Sequence, residues 1–211
     1  MIVHHAPIIL ASESPRRRQL LEEAGIRFSI EPSSIRESDF QAMPPEKYTK
    51  TLARAKAAEV ADRHPDAWVI GADCIVFIHD TILEKPESVA EARRMIHRLS
   101  GMSHFVFTGY SIVCRNQSAL FTDVVQTEVM FKPLTDAEIE WYIHTEEPYD
   151  KAGGYAIQGL GSFMVKGIIG SYTNVVGLPL CEILDHLSRM GVIERQTACT
   201  DLRAAAGDGR P

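Results

Sequence analysis

Apolar residues along this chain fall into two patterns. Short continuous runs predict buried strands, and positions spaced by three, four and seven predict helices. The first run, at residues 7–12 (Pro-Ile-Ile-Leu-Ala-Ser), predicts a buried strand. Ser14-Pro15 then opens a helix, with serine as N-cap and proline in the first turn. Leu20, Leu21 and Ala24 form its inward face, and Gly25 closes it. Residues 27–31 alternate as a strand, and residues 33–39 form a polar loop. Residues 44–63 read as a long helix with Tyr48, Leu52, Ala55 and Ala58 along one face. Trp68–Ile78 is the strongest strand signal, apolar but for Asp73, and His79-Asp80 turns the chain after it. Ser88 and Glu91 predict a capping box ahead of Ala92, Met95, Ile96 and Leu99, a helix that Gly101 ends. Residues 105–114 and Ala119–Phe131 read as a hairpin around 115–118. Thr135 and Glu138 predict a second capping box, before a short helix through His144. Residues 146–161 are a glycine-rich polar stretch, and 163–169 another strand. Leu180, Ile183, Leu184 and Leu187 line a last helix ending at Gly191. Strands and helices mix without strict alternation, which predicts an α/β fold on a mixed sheet.

The length of 211 residues suits a single domain, expected over 1–196 with a flexible tail at 197–211. Net charge is −6, from 22 basic and 28 acidic residues. A bulk basic footprint for nucleic acid is therefore absent, and an anionic ligand needs a local basic cluster. No apolar run is long enough to span a membrane, and the first residues lack a secretory signal pattern. Cys74, Cys114, Cys181 and Cys199 have no metal-ligand spacing, and the eight histidines are scattered. Reduced thiols and a cytoplasmic location are expected.

Three groups of residues invite chemistry. Arg16, Arg17 and Arg18 stand in the first turn of the first helix, where the dipole is positive and acids normally sit. Free N–H groups and guanidinium forks there make a phosphate site, or else a solvated basic face. Asp73 interrupts an apolar strand, so it should lie at a strand end or bulge with a cation or metal beside it. It reads as a general base, a metal ligand, or a structural acceptor of backbone N–H groups. Asp150 to Tyr155 and Ile157-Gln158-Gly159 form the third group. Glycines let a ligand approach the backbone, and Gln158 offers a donor and an acceptor to a nucleobase edge, unless this is a tight structural loop. Lys56, Lys85 and Glu37 each read alone as solvated residues. A dinucleotide fingerprint, a P-loop and a nucleophile elbow are all missing.

Together these segments resemble the Maf family of nucleotide pyrophosphatases. The resemblance rests on ordered blocks: Leu10-Ala11-Ser12-Glu13-Ser14-Pro15-Arg16-Arg17, Leu52-Ala53-Arg54-Ala55-Lys56-Ala57, Gly71-Ala72-Asp73, Leu83-Glu84-Lys85-Pro86 and Ser100-Gly101-Met102-Ser103-His104. It continues through Thr108-Gly109, Glu147-Pro148-Tyr149-Asp150-Lys151-Ala152-Gly153, Tyr155-Ala156-Ile157-Gln158-Gly159 and Asn174-Val175-Val176-Gly177-Leu178-Pro179-Leu180. The resemblance implies an ITPase-like fold: an elongated, twisted mixed sheet flanked by helices, with two lobes and a central cleft. It implies hydrolysis of a nucleoside triphosphate to the monophosphate and pyrophosphate with a divalent cation, Mg²⁺ or Mn²⁺, and a homodimer as the assembly. Asp73 matches the catalytic acid. Ser12, Arg16, Arg17, Lys56 and Lys85 match phosphate-contacting positions. Glu37, with Asp73, matches the metal-holding acids. Arg17, Cys74 and Gln158 match the specificity positions.

Asp-Lys-Ala-Gly with Ile-Gln-Gly resembles the branch acting on dTTP, UTP and modified uridine triphosphates. Two departures stand out. Cys74 replaces the threonine usual after the catalytic acid, and a thiol is the weaker donor. Arg36 stands where an acid often precedes Glu37, which lowers local negative charge. The competing expectations are a pyrophosphatase of broad or 7-methylguanosine specificity, a non-catalytic nucleotide-sensing regulator of septum formation, and a nucleic-acid binder, which the charge argues against.

Overall fold

The computed structural model describes residues 2–40 and 43–196. The tail expected at 197–211, and Cys199 with it, lies outside the described residues. The strand predicted first is β2 (Ile8–Leu10), after a short β1 (Ile2–His4) that sequence reading missed. Helix α1 (Pro15–Glu23) begins as expected: the Ser14 side chain accepts from the Arg17 N–H, and Gly25 takes φ +73° at its end. The strand expected at 27–31 shrinks to β3 (Ser29–Ile30), both residues exposed. Then come α2 (Pro45–Arg63), β4 (Trp68–Ile78), β5 (Thr81–Leu83) and α3 (Val89–Leu99). His79 and Asp80 both have positive φ, the geometry of a two-residue hairpin turn, and this creates β5. Next are β6 (Ser103–Cys114), β7 (Ala119–Phe131), α4 (Asp136–Ile143) and β8 (Val165–Ile169). The chain closes with α5 (Tyr172–Val176), α6 (Leu180–Arg189) and β9 (Ile193–Arg195).

Of the two predicted capping boxes, the one at Thr135 and Glu138 forms completely. At α3 only half forms: Ser88 accepts from the Glu91 N–H, but the Glu91 carboxylate takes the N–H of Glu87 instead. The strand expected at 163–169 begins two residues late, because Phe163 belongs to a 3₁₀ turn, Gly159–Met164.

The sheet runs β3-β2-β4-β6-β7-β8, with β5 also on β4. β2 is parallel to β3 and β4, and the other pairs are antiparallel, so the sheet is mixed as expected. β1 and β9 form a separate ribbon that brings the two described ends together. β6 pairs with one edge of β4 continuously, from Val69 to Phe77. The other edge is split: β2 takes residues 68–70 and β5 takes 76–78. Among the described residues, no strand pairs with residues 71–75 on that side.

Alternation along β4 sends side chains to two faces. One face carries Val69, Gly71, Asp73 and Ile75 and is covered by α2 through Leu52, Ala53, Ala57, Val60 and Ala61. The opposite face carries two separate cores, which build the two lobes. The first packs α1 and α6 on Trp68, Ile70 and Ala72. The second packs α3 and α4 on Val76 and Ile78. A cleft opens between them, over the unpaired stretch of β4.

His104 is buried in the second core, edge-on to Phe131 and Tyr155. Its Nε2 pairs with the Tyr155 hydroxyl at 2.7 Å, and its Nδ1 has no partner among the described residues. Burial depresses its pKa to about 4. In the unfolded chain the ring protonates below about 6.5, so acid favours unfolding there. The stability it contributes is complete above that value and is lost as the pH falls toward 4. Between pH 7.5 and 5 the loss should be about 2 kcal/mol. Urea midpoints at the two pH values check this. An unchanged midpoint, or an equal fall in His104→Gln, would overturn it.

Candidate active site

The cleft has a volume of about 470 Å³. All nine residues singled out from the sequence line it: Ser12, Arg16, Arg17, Glu37, Lys56, Asp73, Cys74, Lys85 and Gln158. They come from seven separate segments. Ser12 follows β2, and Arg16 and Arg17 begin α1. Glu37 comes from the 3₁₀ turn Glu37–Asp39, Lys56 from α2, Asp73 and Cys74 from β4. Lys85 follows β5, and Gln158 precedes the turn Gly159–Met164.

Asp73 departs from expectation in one respect. It sits at neither a strand end nor a bulge; it is in mid-strand, in regular register with Gly109. It is tolerated because β4 has no neighbour there on one edge and because a cation meets it. Lys56 Nζ donates to Asp73 Oδ1 at 2.7 Å and to Glu37 Oε1 at 2.8 Å. The expected solvated reading of Lys56 does not hold, since its side chain is 12% exposed and that of Asp73 is 6% exposed. A charge buried this far needs a partner, and each of the two supplies the other's.

The two acids shift in opposite directions from their ordinary values. Burial raises the Asp73 pKa, and the nearby Glu37 charge adds to this, outweighing the attraction of Lys56. Burial also pushes Glu37 up, but the charge and hydrogen bond of Lys56, with Lys85 and Arg17 behind it, bring the net shift downward. Burial thus favours the protonated form of Asp73, while the cations around Glu37 favour its ionised form. The Tyr48 hydroxyl, on the same wall, is pushed up to about 12 by burial and by the charges of Glu84, Asp73 and Glu37.

The arginine triplet divides. Arg18 turns to solvent and pairs with Glu22 one turn on, at 2.7 Å. Arg17 folds over the helix N-terminus: Nη1 donates to Ser12 Oγ at 3.0 Å and Nε to the Gly177 carbonyl at 2.8 Å. Arg16 spans the cleft, with Nη1 donating to Asp150 Oδ2 at 2.9 Å. Lys85 is exposed at the rim. Arg16, Arg17 and Lys85 therefore meet at one mouth of the cleft, beside the N-terminus of α1.

Cys74 points to the face opposite Asp73, toward the second core. Burial pushes its thiol pKa up, so it stays protonated. Asp73 and Cys74 both reach the cleft because it opens at the strand's edge, where the two faces meet.

Sequence reading named Asp150 and Lys151 only as part of a glycine-rich segment, and Glu84 only as a neighbour of Lys85. All three line the cleft. Lys151 is largely buried and donates to the Glu147 carbonyl at 2.6 Å and to the Asp150 carboxylate. A cation and an acid next to paired glycines were the available signal. Among the described residues no three His, Cys, Asp or Glu side chains gather as a metal cage.

A family model described as Maf-like protein matches residues 7–190. A protein named dTTP/UTP pyrophosphatase from Geotalea uraniireducens (strain Rf4) is 49% identical over 89% of this chain and 96% of its own length. One of the same name from Geobacter sulfurreducens (strain ATCC 51573 / DSM 12127 / PCA) is 48% identical over 88% of this chain and 97% of its own. A third, from Syntrophus aciditrophicus (strain SB), is 46% identical over 87% and 90%.

Proposed function

Because the chain belongs to the Maf family, we propose that it hydrolyses dTTP, UTP and modified uridine triphosphates to the monophosphate and pyrophosphate. The observation that carries the proposal is the Asp73–Lys56–Glu37 chain at the floor of a cleft whose mouth holds Arg16, Arg17 and Lys85. Arg16, Arg17, Ser12, Lys56 and Lys85 bind and orient the phosphates. Asp73, whose pKa burial raises, accepts the proton of a water whose oxygen attacks the α-phosphorus. The α–β bridging P–O bond breaks and pyrophosphate leaves. Arg17, Cys74 and Gln158 face the base.

A divalent cation suits this donor set. The cleft is lined by five cationic side chains (Arg16, Arg17, Lys56, Lys85, Lys151) and five acidic ones (Glu13, Glu37, Asp73, Glu84, Asp150). A triphosphate entering it therefore meets no surplus positive charge. Mg²⁺ characteristically takes one or two carboxylates and completes its shell with water and substrate phosphate. Glu37 and Asp73 are the residues that would hold it. Bound there, the ion would neutralise phosphate charge and polarise phosphoryl oxygens. Three free cysteines among the described residues support a reducing, cytoplasmic setting, and no described helix is long and apolar enough to cross a membrane.

Pyrophosphate release from dTTP, UTP, 5-methyl-UTP, CTP, ITP, GTP and 7-methylguanosine triphosphate tests the proposal, with Mg²⁺, with Mn²⁺ and after chelation. Release confined to thymine and uracil nucleotides, and lost on chelation, is expected. Equal release from all seven would remove the base selectivity. No release from any would remove the activity.

A further inference from the structure

Glu147 is outside the residues assigned above, yet its carboxylate carries three hydrogen bonds. Oε1 accepts from the Gly161 N–H at 2.7 Å and from the Tyr142 hydroxyl at 3.1 Å. Oε2 accepts from the Leu160 N–H at 2.8 Å. Those two amides belong to the first turn of the 3₁₀ helix Gly159–Met164, whose N-cap is Gln158. Helix-end amides have no partner within their own turn, so the carboxylate fixes the backbone directly after Gln158. The intervening Gly159 takes φ +71°, and a Cβ there would come within 2.5 Å of Glu147 Oε2. The chain turns sharply at Gly159 because it wraps this carboxylate.

The donor from below is equally fixed. Tyr142 lies on α4, fully buried in the second core. The main chain of Glu147 works in the same direction, because its carbonyl accepts Lys151 Nζ at 2.6 Å. Lys151 in turn holds Asp150, the partner of Arg16. Both segments that bring polar side chains to this wall of the cleft are therefore tied to one residue.

We propose that Glu147 is the positioning residue for Gln158, setting base discrimination by clamping the Gly159–Gly161 backbone from behind. The inference rests on the reading of Gln158 as a base-facing residue. Geometry gives it force: a side chain that reads a base edge works only if its backbone does not shift. Glu147→Gln is nearly isosteric, but an amide has one acceptor oxygen where the site needs two. Its NH₂ group would face the N–H of Leu160 or Gly161, donor against donor, and the turn would move.

The experiment is steady-state kinetics on dTTP and CTP for the wild type, Glu147→Gln, Glu147→Asp, Gln158→Ala and the double variant Glu147→Gln/Gln158→Ala. Circular dichroism and melting check the fold of each. Glu147→Gln should lower the dTTP-to-CTP ratio of kcat/KM about tenfold, mainly through the KM for dTTP, with CTP moving little. Glu147→Asp keeps two acceptor oxygens and should retain more of the ratio. In the double variant the ratio should fall no further than in Gln158→Ala alone. Three results overturn the inference: equal loss on both nucleotides, additive losses in the double variant, or an unchanged ratio in Glu147→Gln when Gln158→Ala lowers it. If Gln158→Ala itself leaves the ratio unchanged, the base-facing reading of Gln158 fails, and the role of Glu147 falls with it.

Discussion

Replacing Asp73 by Asn should lower kcat by about 10²–10⁴-fold, the usual cost of losing a general base. The substitution keeps size and shape in a mid-strand position that is only 4% exposed, so the strand's pairing with β6 should persist. Lys56 loses its bond to Oδ1 as an ionic contact but keeps Glu37 at 2.8 Å, so no buried ammonium is stranded. The change is therefore expected in turnover much more than in folding. Two roles for Asp73 predict the same loss and separate on a second axis. A variant that has lost only a metal ligand should recover turnover as Mg²⁺ is raised, because mass action refills a weakened site. A variant that has lost the proton acceptor should stay slow at any Mg²⁺ concentration. Turnover within tenfold of wild type would rule out both roles.

The reason Asp73 could be picked out, yet not placed, shows what a sequence carries. An acid in the run Trp-Val-Ile-Gly-Ala-Asp-Cys-Ile-Val-Phe-Ile violates the burial pattern, and the violation is visible locally. What relieves it is not local. The edge of β4 is open at residues 71–75 only because β2 ends at Leu10 and β5 begins pairing at Val76. β5 is three residues long, too short for a periodic signal, and β1 meets β9 across nearly the whole chain. Lys56 was hidden for a related reason. Among Ala53, Ala55, Ala57 and Ala58 a lysine reads as a solvated helix residue. Ala53 and Ala57 are small because α2 lies directly on the sheet there, while Ala55 and Ala58 stay half-buried, and that contact is what delivers Lys56 to the cleft. The apolar run Trp68–Ile78 and the regular apolar stripes of α3 and α6 were legible because their own residues bury them. Glu147 had no such signal: two of its three donors are backbone amides of a glycine turn thirteen and fourteen residues on, and amides carry no identity in a sequence. The pair Gly159 and Gly161 was the trace of it.

Gly109→Ala should destabilise the protein by about 3 kcal/mol or more, at the upper end of what overpacking costs. Gly109 lies on β6 directly opposite Asp73 and faces α2. A Cβ there would fall on the Thr49 carbonyl and 2.6 Å from the Lys50 nitrogen. These are backbone atoms of a helix held down at Leu52, Ala53, Ala57, Val60 and Ala61, all fully buried. No side-chain rotation can clear the clash, so the helix must lift or the strand must bend. Gly71 presses on the same helix, with a Cβ placed 2.5 Å from the Ala53 carbonyl oxygen and 2.7 Å from the Ala57 nitrogen. The two glycines are the seats that let α2 approach the strands closely. That approach sets the 2.7 Å contact of Lys56 with Asp73. The folded fraction of Gly109→Ala should therefore also turn over more slowly, although Gly109 itself lies outside the cleft lining. Gly25 supplies the contrast. It has φ +73° but open space around it, so Gly25→Asn, which tolerates that backbone, should shift the urea midpoint little. If Gly109→Ala unfolds at the wild-type midpoint, the helix can lift at no cost, and close seating is not what holds Lys56 against Asp73.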